Sequence, residues 1–358
     1  NFNIILYDDG AGAKTGVGFQ PDLTWVKARA SYYDNKWTDS VRGVTKAITS
    51  VSTAIEVTDS TGLTAFGADG FTVGADTDYS DTTGSGMVAW NWKAGGAPTA
   101  DNSAGAGATP TAGSVKIDGA NLGSALAGTI AATRLSANTT SGFSVVKYVG
   151  TGANATIAHG LSQAPELIIV KTLDSAEQWN VYAEPISSTP AEDYLEASTN
   201  NALNTNDTFW NDTVPSASVF TVGSYSGTNN STDDLMAYCF HSVEGYSKVG
   251  SYEGNNNADG PFVYTGFKPA LVIVKNIDNS ANWQMYDSKR VGYNEDNFPV
   301  YVDDTSIEDV AVNDVDLLSN GFKLIRAANP FNHSYTYLYI AFAESPFKNA
   351  SGVPNNAR

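Results

Sequence analysis

Short hydrophobic runs separated by turn-forming residues dominate the pattern of this chain. Continuous β-branched runs at 167–170 and 271–274 are typical of strands buried on both faces. Residues 143–148 and 336–342 have strand composition with partial alternation, and no window of a dozen residues carries the apolar stripe of a capped helix. Asp-Gly at 69–70 and Asn-Gly at 320–321 favour tight reversals. We therefore predict an all-β chain of antiparallel, lectin-like β-sandwiches.

One of these hydrophobic patterns occurs three times. Gly-Phe-x-Pro-x-Leu-x-x-Val-Lys at 18–27 returns with a two-residue insertion and Leu for Phe at 160–171, and returns again at 266–275. A tryptophan follows each copy, and each repeat ends in an apolar strand centred on alanine. A repeat on this scale predicts three homologous units, each the size of a small domain.

The repeat defines the expected domains. We place β-sandwich repeats at 1–95, 142–246 and 247–348, followed by a C-terminal tail at 349–358. Residues 96–141 are rich in Gly, Ala and Thr, which is the composition of a linker. Within this arm, 115–117 and 130–135 could pair as small strands or pack on a neighbouring subunit. We expect one tethered unit, a linker arm, and a closely coupled pair of units.

The chain carries a formal charge of −18, with few charged residues for its 358-residue length. Acidity without a basic stripe argues against nucleic acid as a partner, because phosphate backbones are repelled. No stretch approaches the ~18 apolar residues of a membrane-spanning helix. The single cysteine, Cys239, lies in an apolar run and is expected to be a small buried residue.

The tryptophans that follow the repeated strands, Trp37, Trp179 and Trp283, are expected in the core because they occupy equivalent positions. Phe209 and Trp210 are not repeated and lie in a polar Asn/Thr loop. This pair is our candidate for an exposed contact patch.

Two kinds of acidic site are considered. Asp39 with Arg42, and Asp287 with Arg290, are expected to tie down the loop after the tryptophan as surface pairs worth about 0–1 kcal/mol. Asp76, Asp78 and Asp81 form a second group, in a Gly/Thr-rich loop. A solvated acidic loop is the simpler interpretation of that group, and calcium held by carboxylate oxygens is the alternative; no other cofactor is expected.

The residues give little support to the hypothesis of an enzyme. The three histidines accompany no nucleophile elbow. Glu244 and Glu253 flank the junction of the second and third repeats and are the candidates for a glycosidase pair, but the spacing alone does not bring them within about 5–10 Å. We therefore do not expect an enzyme.

Several longer strings resemble a known family. They include Val-Ala-Trp-Asn-Trp-Lys-Ala-Gly-Gly at 88–96, Ala-Asn-Ala-Thr-Ile-Ala-His-Gly-Leu at 153–161 and Asp-Gly-Pro-Phe-Val-Tyr-Thr-Gly-Phe at 259–267. Together with the repeated strand and the ending Ala-Phe-Ala-Glu-Ser-Pro-Phe-Lys at 341–348, they resemble an uncharacterised family common in tailed phages of marine and aquatic bacteria. The resemblance covers nearly the whole chain. It identifies no catalytic residues.

The resemblance implies a virion structural protein: a tail fibre, appendage or capsid decoration subunit on the particle surface, made in the host cytoplasm. Its expected partners are other virion proteins and further copies of itself in a homo-oligomer. A host glycan is an additional expected partner if the protein contributes to adhesion. A carbohydrate-binding lectin-like module and a glycan depolymerase are the alternative functions.

Overall fold

A computed structural model describes residues 1–8, 10–81, 84, 86–290, 294, 297–310 and 313–344. Strands make up nearly all of the regular structure in these residues, joined by one 3₁₀ turn at Glu184–Ile186 and one short helix, α1, at Ser226–Asn229. The prediction of an all-β chain is confirmed. The pairing is antiparallel apart from a single parallel ladder, in the arm, among the paired strands described.

The first segment (1–95) forms two sheets. Its main sheet has the order β1-β9-β3-β4-β5-β6, and a smaller sheet has the order β2-β8-β7. The strands are β1 (Phe2–Tyr7), β2 (Gly12–Thr15), β3 (Leu23–Ala28), β4 (Lys36–Asp39), β5 (Lys46–Thr49), β6 (Val57–Thr58), β7 (Leu63–Gly67), β8 (Gly70–Val73) and β9 (Met87–Trp92).

The arm (96–141) and the second segment (142–246) form one continuous main sheet. The strands are β10 (Val115–Ile117), β11 (Ala120–Asn121), β12 (Ala132–Asn138), β13 (Phe143–Val149), β14 (Ala155–Ala158), β15 (Leu167–Thr172), β16 (Asn180–Ala183), β17 (Asp193–Glu196), β18 (Asn204–Thr205), β19 (Val219–Val222) and β20 (Asp234–Phe240). The main sheet has the order β11-β10-β12-β13-β20-β15-β16-β17-β18, and β14 pairs with β19.

The third segment (247–348) repeats the arrangement in shorter form. The strands are β21 (Ser247–Glu253), β22 (Phe262–Tyr264), β23 (Pro269–Asn276), β24 (Gln284–Asp287), β25 (Val300–Tyr301), β26 (Val315–Leu318), β27 (Gly321–Leu324) and β28 (Thr336–Ala343). The main sheet has the order β21-β28-β23-β24-β25, and the smaller one β22-β27-β26. The order of these five main strands matches β1-β9-β3-β4-β5 and β13-β20-β15-β16-β17.

Each main sheet is buried on both faces, which explains the continuous hydrophobic runs. In β28, Leu338, Ile340 and Phe342 face one core, whereas Tyr337 and Tyr339 face another. Successive side chains of a strand point to opposite faces, so one strand serves two cores. The outer core lies between each main sheet and its small partner sheet, as the sandwich prediction requires.

The inner faces of all three main sheets meet in one shared core. Trp25 and Trp90 from the first segment, Trp179 and Tyr238 from the second and Trp283 from the third belong to the same buried cluster. Side chains from the three sheets also enclose an apolar cavity of about 40 Å³ at this meeting point. The three segments therefore pack around a common centre.

This packing corrects the expectation of a first unit tethered by a linker arm. β12 pairs along β13 from Ala132 to Asn138, and β10 pairs with β12 in parallel. Buried Val115 and Leu135 belong to the outer core of the second segment. The arm therefore forms strands and core, as the alternative for 115–117 and 130–135 allowed. The exact domain boundaries stay a prediction.

Candidate functional site

The tryptophans that follow the repeated strands are buried, as predicted. Trp37, Trp179 and Trp283 are members of the shared core. The Trp37 ring lies 5.0 Å from that of Trp179 between centroids, so the rings of two segments are in contact. The indole Nε1 of Trp179 donates to Thr49 O at 2.8 Å, and that of Trp283 donates to Glu196 O at 2.9 Å. Each bond crosses from one segment to another.

The lysine that ends each repeated motif is also buried. On each of β3, β15 and β23, this lysine lies on the face towards the shared core and comes after two apolar residues of the same face. The three are Lys27, Lys171 and Lys275. Burial disfavours the charged ammonium and lowers the pKa of each of these lysines to about 8. A buried ammonium requires hydrogen-bond acceptors to offset the loss of water.

Backbone carbonyls of the neighbouring segment supply those acceptors. Lys27 Nζ donates to Thr305 O at 3.1 Å, Lys171 Nζ to Thr53 O at 3.2 Å, and Lys275 Nζ to Asn200 O at 3.1 Å. The lysine of the first segment thus binds the third segment, that of the second binds the first, and that of the third binds the second. The three contacts close a ring within one chain.

A backbone hydrogen bond accompanies each lysine contact. We call 53–56, 200–203 and 305–308 the docking loops, since each begins at the carbonyl that accepts from a lysine. At the other end of these loops, Glu56 N donates to Leu173 O, Leu203 N to Ile277 O and Glu308 N to Arg29 O, at 2.8–2.9 Å. Each acceptor lies two residues after the lysine, so the same interface forms three times.

One of the three interfaces differs at the tryptophan. Trp37 Nε1 has no hydrogen-bond partner among the described residues. The carbonyl in the place of Thr49 O and Glu196 O is Tyr301 O, and it accepts from Asn35 Nδ2 at 2.7 Å. Asn35 Nδ2 also donates to Val302 O at 2.9 Å. An asparagine amide therefore replaces the indole N–H as the donor to the third segment.

The Asp–Arg pairs are not surface pairs, which corrects that expectation. Arg42 Nε lies 2.5 Å from Asp39 Oδ2, and Arg290 Nε lies 2.5 Å from Asp287 Oδ2, with all four side chains at most 1% exposed. Each guanidinium also donates to the carbonyl five residues before it. The expected role in holding the loop is confirmed, because Asp39 Oδ1 accepts from the backbone N–H of Arg42 at 2.8 Å.

The structure overturns the exposed patch predicted at Phe209 and Trp210. Each residue is only 1% exposed. The Phe209 ring stacks between Tyr194 and Tyr225, and Trp210 Nε1 donates to Asp193 O at 3.0 Å. Sequence reasoning failed here because a polar loop that folds over a sheet can still bury its aromatic residues.

The predicted calcium residues do not converge. Among the residues that the structure describes, no three His, Cys, Asp or Glu side chains form a group able to hold a metal ion. Asp78 forms an ion pair with Lys36 at 3.1 Å and accepts from the backbone N–H of Asp34. Asp76 accepts from the backbone N–H of Asp78, and Asp81 is buried. This geometry favours a hydrogen-bonded loop over a site formed by Asp76, Asp78 and Asp81 together.

The candidate catalytic carboxylates are also separate. Glu253 is the last residue of β21 and accepts from Thr336 Oγ1 at 2.9 Å, whereas Glu244 precedes the first residue of that strand. Seven strand residues span roughly 20 Å, which exceeds the separation of a glycosidase pair. His159 is buried with its pKa lowered to about 4, because burial disfavours the imidazolium. It therefore stays neutral at pH 7.

Two polar clefts contain carboxylates that already have structural partners. A cleft of about 790 Å³ includes Asp22, whose Oδ2 accepts from Ala94 N at 2.7 Å. A second cleft, of about 540 Å³, includes Glu166, whose Oε2 accepts from Ser242 N at 2.7 Å. Asp22 and Glu166 occupy the same place in the repeat. Both carboxylates hold the chain as it leaves the last strand of a main sheet.

One exposed aromatic surface takes no part in the three lysine contacts between segments. Phe262 is 45% exposed and Tyr264 is 59% exposed, and both lie on β22, an edge strand of the small sheet in the third segment. Sequence reasoning did not single them out. The available signal was their spacing of two, which places both rings on one face of a strand.

No helix among the described residues has the length and apolar character needed to cross a membrane.

Comparison with known families gives one result. A family described as a domain of unknown function, DUF7483, matches residues 1–119 and again 114–346. The chain belongs to this family. The first match covers the first segment and the start of the arm, and the second covers β10 to β28. The DUF7483 domain is therefore matched twice, and the count of three units rests on the repeated motif and the shared strand order.

No curated protein and no solved structure matches the chain.

Proposed function

We propose that this DUF7483 protein is a structural subunit of a tailed-bacteriophage virion, as a tail fibre, appendage or capsid decoration. The observation that carries the proposal is the closed ring of Lys27, Lys171 and Lys275 on the docking loops. The repeated residues are used to lock three sheets to one another. A chain whose repeated residues hold its three sheets rigidly together is well suited to be a structural component of a particle.

Two further features support a place on a particle surface. The chain has 38 acidic and 20 basic residues, and this excess of one sign opposes nonspecific association. The resemblance of the strings at 88–96, 153–161 and 259–267 to phage proteins supports the virion assignment. We propose that copies of the chain assemble with each other and with other virion proteins, and that the particle surface contacts the host.

The test is the composition of purified particles. Phage particles from a culture that produces this chain are banded on a density gradient, and their peptides are quantified against the major capsid protein. We expect the chain in the particle band at a fixed ratio, and labelled antibody on one particle feature in electron micrographs. Recovery of the chain only in the soluble fraction would overturn the proposal.

Adhesion to a host glycan is a second part of the proposed function. The observation that favours it is the pair of exposed rings on β22, since aromatic faces beside a polar group, here the Tyr264 hydroxyl, suit amphipathic ligands. A lectin-like role of this kind is compatible with a structural subunit, because many weakly binding copies on one particle give high avidity.

A further inference from the structure

The fold does not require aromatic residues at the exposed positions of β22. Phe262 lies opposite Lys323 and Tyr264 opposite Gly321 on β27. The matching positions on the corresponding strands of the other two small sheets carry small residues. They are Ala13 and Thr15 on β2, and Thr156 and Ala158 on β14.

Both rings are held in place although they face solvent. The Phe262 ring lies over Gly321, where an added Cβ would come within 2.9 Å of Phe262 Cζ. The ammonium of Lys248 lies 5.5 Å from the centroid of the Tyr264 ring and donates to Tyr264 O at 3.0 Å. A surface that is already ordered loses little conformational entropy when a ligand binds.

Hydrogen-bond donors and acceptors both lie around the two rings. Lys248 forms no ion pair within the described part of the chain, and the Tyr264 hydroxyl makes no hydrogen bond there. Carboxylates lie on the other side, where Asp259 pairs with Lys323 at 2.5 Å and Asp316 lies opposite Lys323 on β26. The surface therefore offers donors and acceptors around two apolar faces, with balanced local charge.

We propose that Phe262, Tyr264 and Lys248 form a binding surface for an uncharged glycan. Hydroxyl groups of a sugar both donate and accept, which matches the mixed groups at the rim, and the C–H face of a pyranose ring packs on the aromatic faces. A strongly acidic glycan is disfavoured by the net charge of −18, because the local charges balance and leave no excess of cations to attract it. Two rings on a three-residue strand are also small for a protein partner, which needs about 800 Å² on each side.

The proposal rests on the adhesion part of the proposed function, and its test uses the purified chain rather than the particle. The chain is applied to an array of neutral hexopyranose glycans printed beside sulfated and uronate-containing glycans. We expect binding to members of the neutral set. Phe262→Ala and Tyr264→Ala are each expected to weaken it about tenfold, because each removes one stacking face.

Tyr32→Ala is the matched control, since Tyr32 is 69% exposed on the first segment and remote from β22 in sequence. It should bind like the unchanged chain, and all variants should keep the melting temperature, because the side chains removed are exposed. Binding confined to acidic glycans, no binding to any neutral glycan, or equal binding by the Phe262→Ala/Tyr264→Ala double variant would overturn the proposal. A change in oligomer mass in the double variant would instead identify a second copy as the occupant. A failed array would leave the particle assignment unaffected.

Discussion

Buried ion pairs and apolar side chains occupy the same places in different segments of this chain. Arg42 contacts Asp39 and, at 3.4 Å, Glu56 of a docking loop, and Arg290 contacts Asp287 and Glu308 in the same way. The second segment has apolar residues at these three places: Ala183, Ile186 and Leu203. Removal of one member of a buried ionic set leaves an uncompensated charge, whereas replacement of the whole set by packed apolar residues is often neutral.

The first prediction follows from this substitution pattern. Arg42→Ile alone should lower the free energy of unfolding by about 3–5 kcal/mol, because the Asp39 carboxylate stays buried without its partner. The triple variant Asp39→Ala/Arg42→Ile/Glu56→Leu copies the set of the second segment and should recover most of that loss. Urea denaturation of the two variants beside the unchanged chain measures the difference. A triple variant as unstable as Arg42→Ile would contradict it.

The second prediction concerns pH and the buried lysines. Lys27, Lys171 and Lys275 have folded-state pKa values lowered to about 8 from 10.5, so between these values the unfolded chain binds more protons than the folded one. Stability should therefore rise with pH between about 8 and 9. Above pH 9 the rise is opposed, because burial raises the pKa of the Cys239 thiol to about 12 and also raises the pKa of buried tyrosines such as Tyr148 and Tyr238, so the unfolded chain releases these protons first.

Unfolding free energies at pH 8.0, 8.5 and 9.0 provide the measurement. Lys171→Met is the variant to compare, and it should flatten the slope by about a third, since one of three coupled groups is removed. Its absolute stability is not the readout, because the variant also leaves Thr53 O without its donor. A slope that is zero or negative between pH 8 and 9 would show that the lysines do not carry the effect.

At the scale of elements, the arm is joined to the first segment by a close backbone approach. A Cβ added at Gly95 would meet Ala137 O and Lys116 O at 2.5 Å each. These acceptors belong to β12 and β10, so glycine allows the end of the first segment to lie directly on the sheet of the second. Gly95 N also donates to Ser136 Oγ at 2.9 Å.

The third prediction is that Gly95→Ala destabilises the chain by about 1–3 kcal/mol, as overpacking in a close contact does. Gly123→Ala, in the arm itself, is the matched control, because nothing lies within 4 Å of its added Cβ. The control should be neutral or slightly stabilising, since alanine restricts the unfolded chain. Thermal melts of the two variants test this, and equal melting temperatures would contradict it.

At the scale of the whole molecule, the three main sheets depend on each other for burial. The inner faces of the first, second and third segments are covered only within the shared core, where Trp25, Tyr238 and Ile340 belong to one cluster. A segment released from the others would expose that face to water. Exposing apolar surface to water costs about 25 cal/mol of free energy for each Å².

The fourth prediction is that the chain unfolds in one cooperative step. Tryptophan fluorescence reports the shared core, where Trp25, Trp37 and Trp179 lie, and far-ultraviolet circular dichroism reports all sheets. The two signals should give the same midpoint in urea, because no sheet keeps its core without the others. Independent repeats joined like beads would give separate transitions, and that result would contradict the shared-core interpretation.

Much of the fold was open to prediction from local pattern. Strand periods, turn glycines and the repeated tryptophans predicted the all-β sheets and the burial of Trp37, Trp179 and Trp283, since both depend on side-chain alternation within short segments. The arm was harder, because its Gly, Ala and Thr content is equally typical of a linker. The candidate surface at Phe262 and Tyr264 was missed, because exposure depends on what the rest of the chain covers.

The sequence by itself determined the class of fold, the motif with its lysine, and which residues recur. Only the tertiary structure decided that Lys27, Lys171 and Lys275 reach carbonyls of other segments, that the arm completes a sheet, and that Phe209 and Trp210 are buried. The reason is physical. Periodicity records which face of a strand is apolar, but the partner that covers that face lies far away along the chain and is chosen by packing in three dimensions.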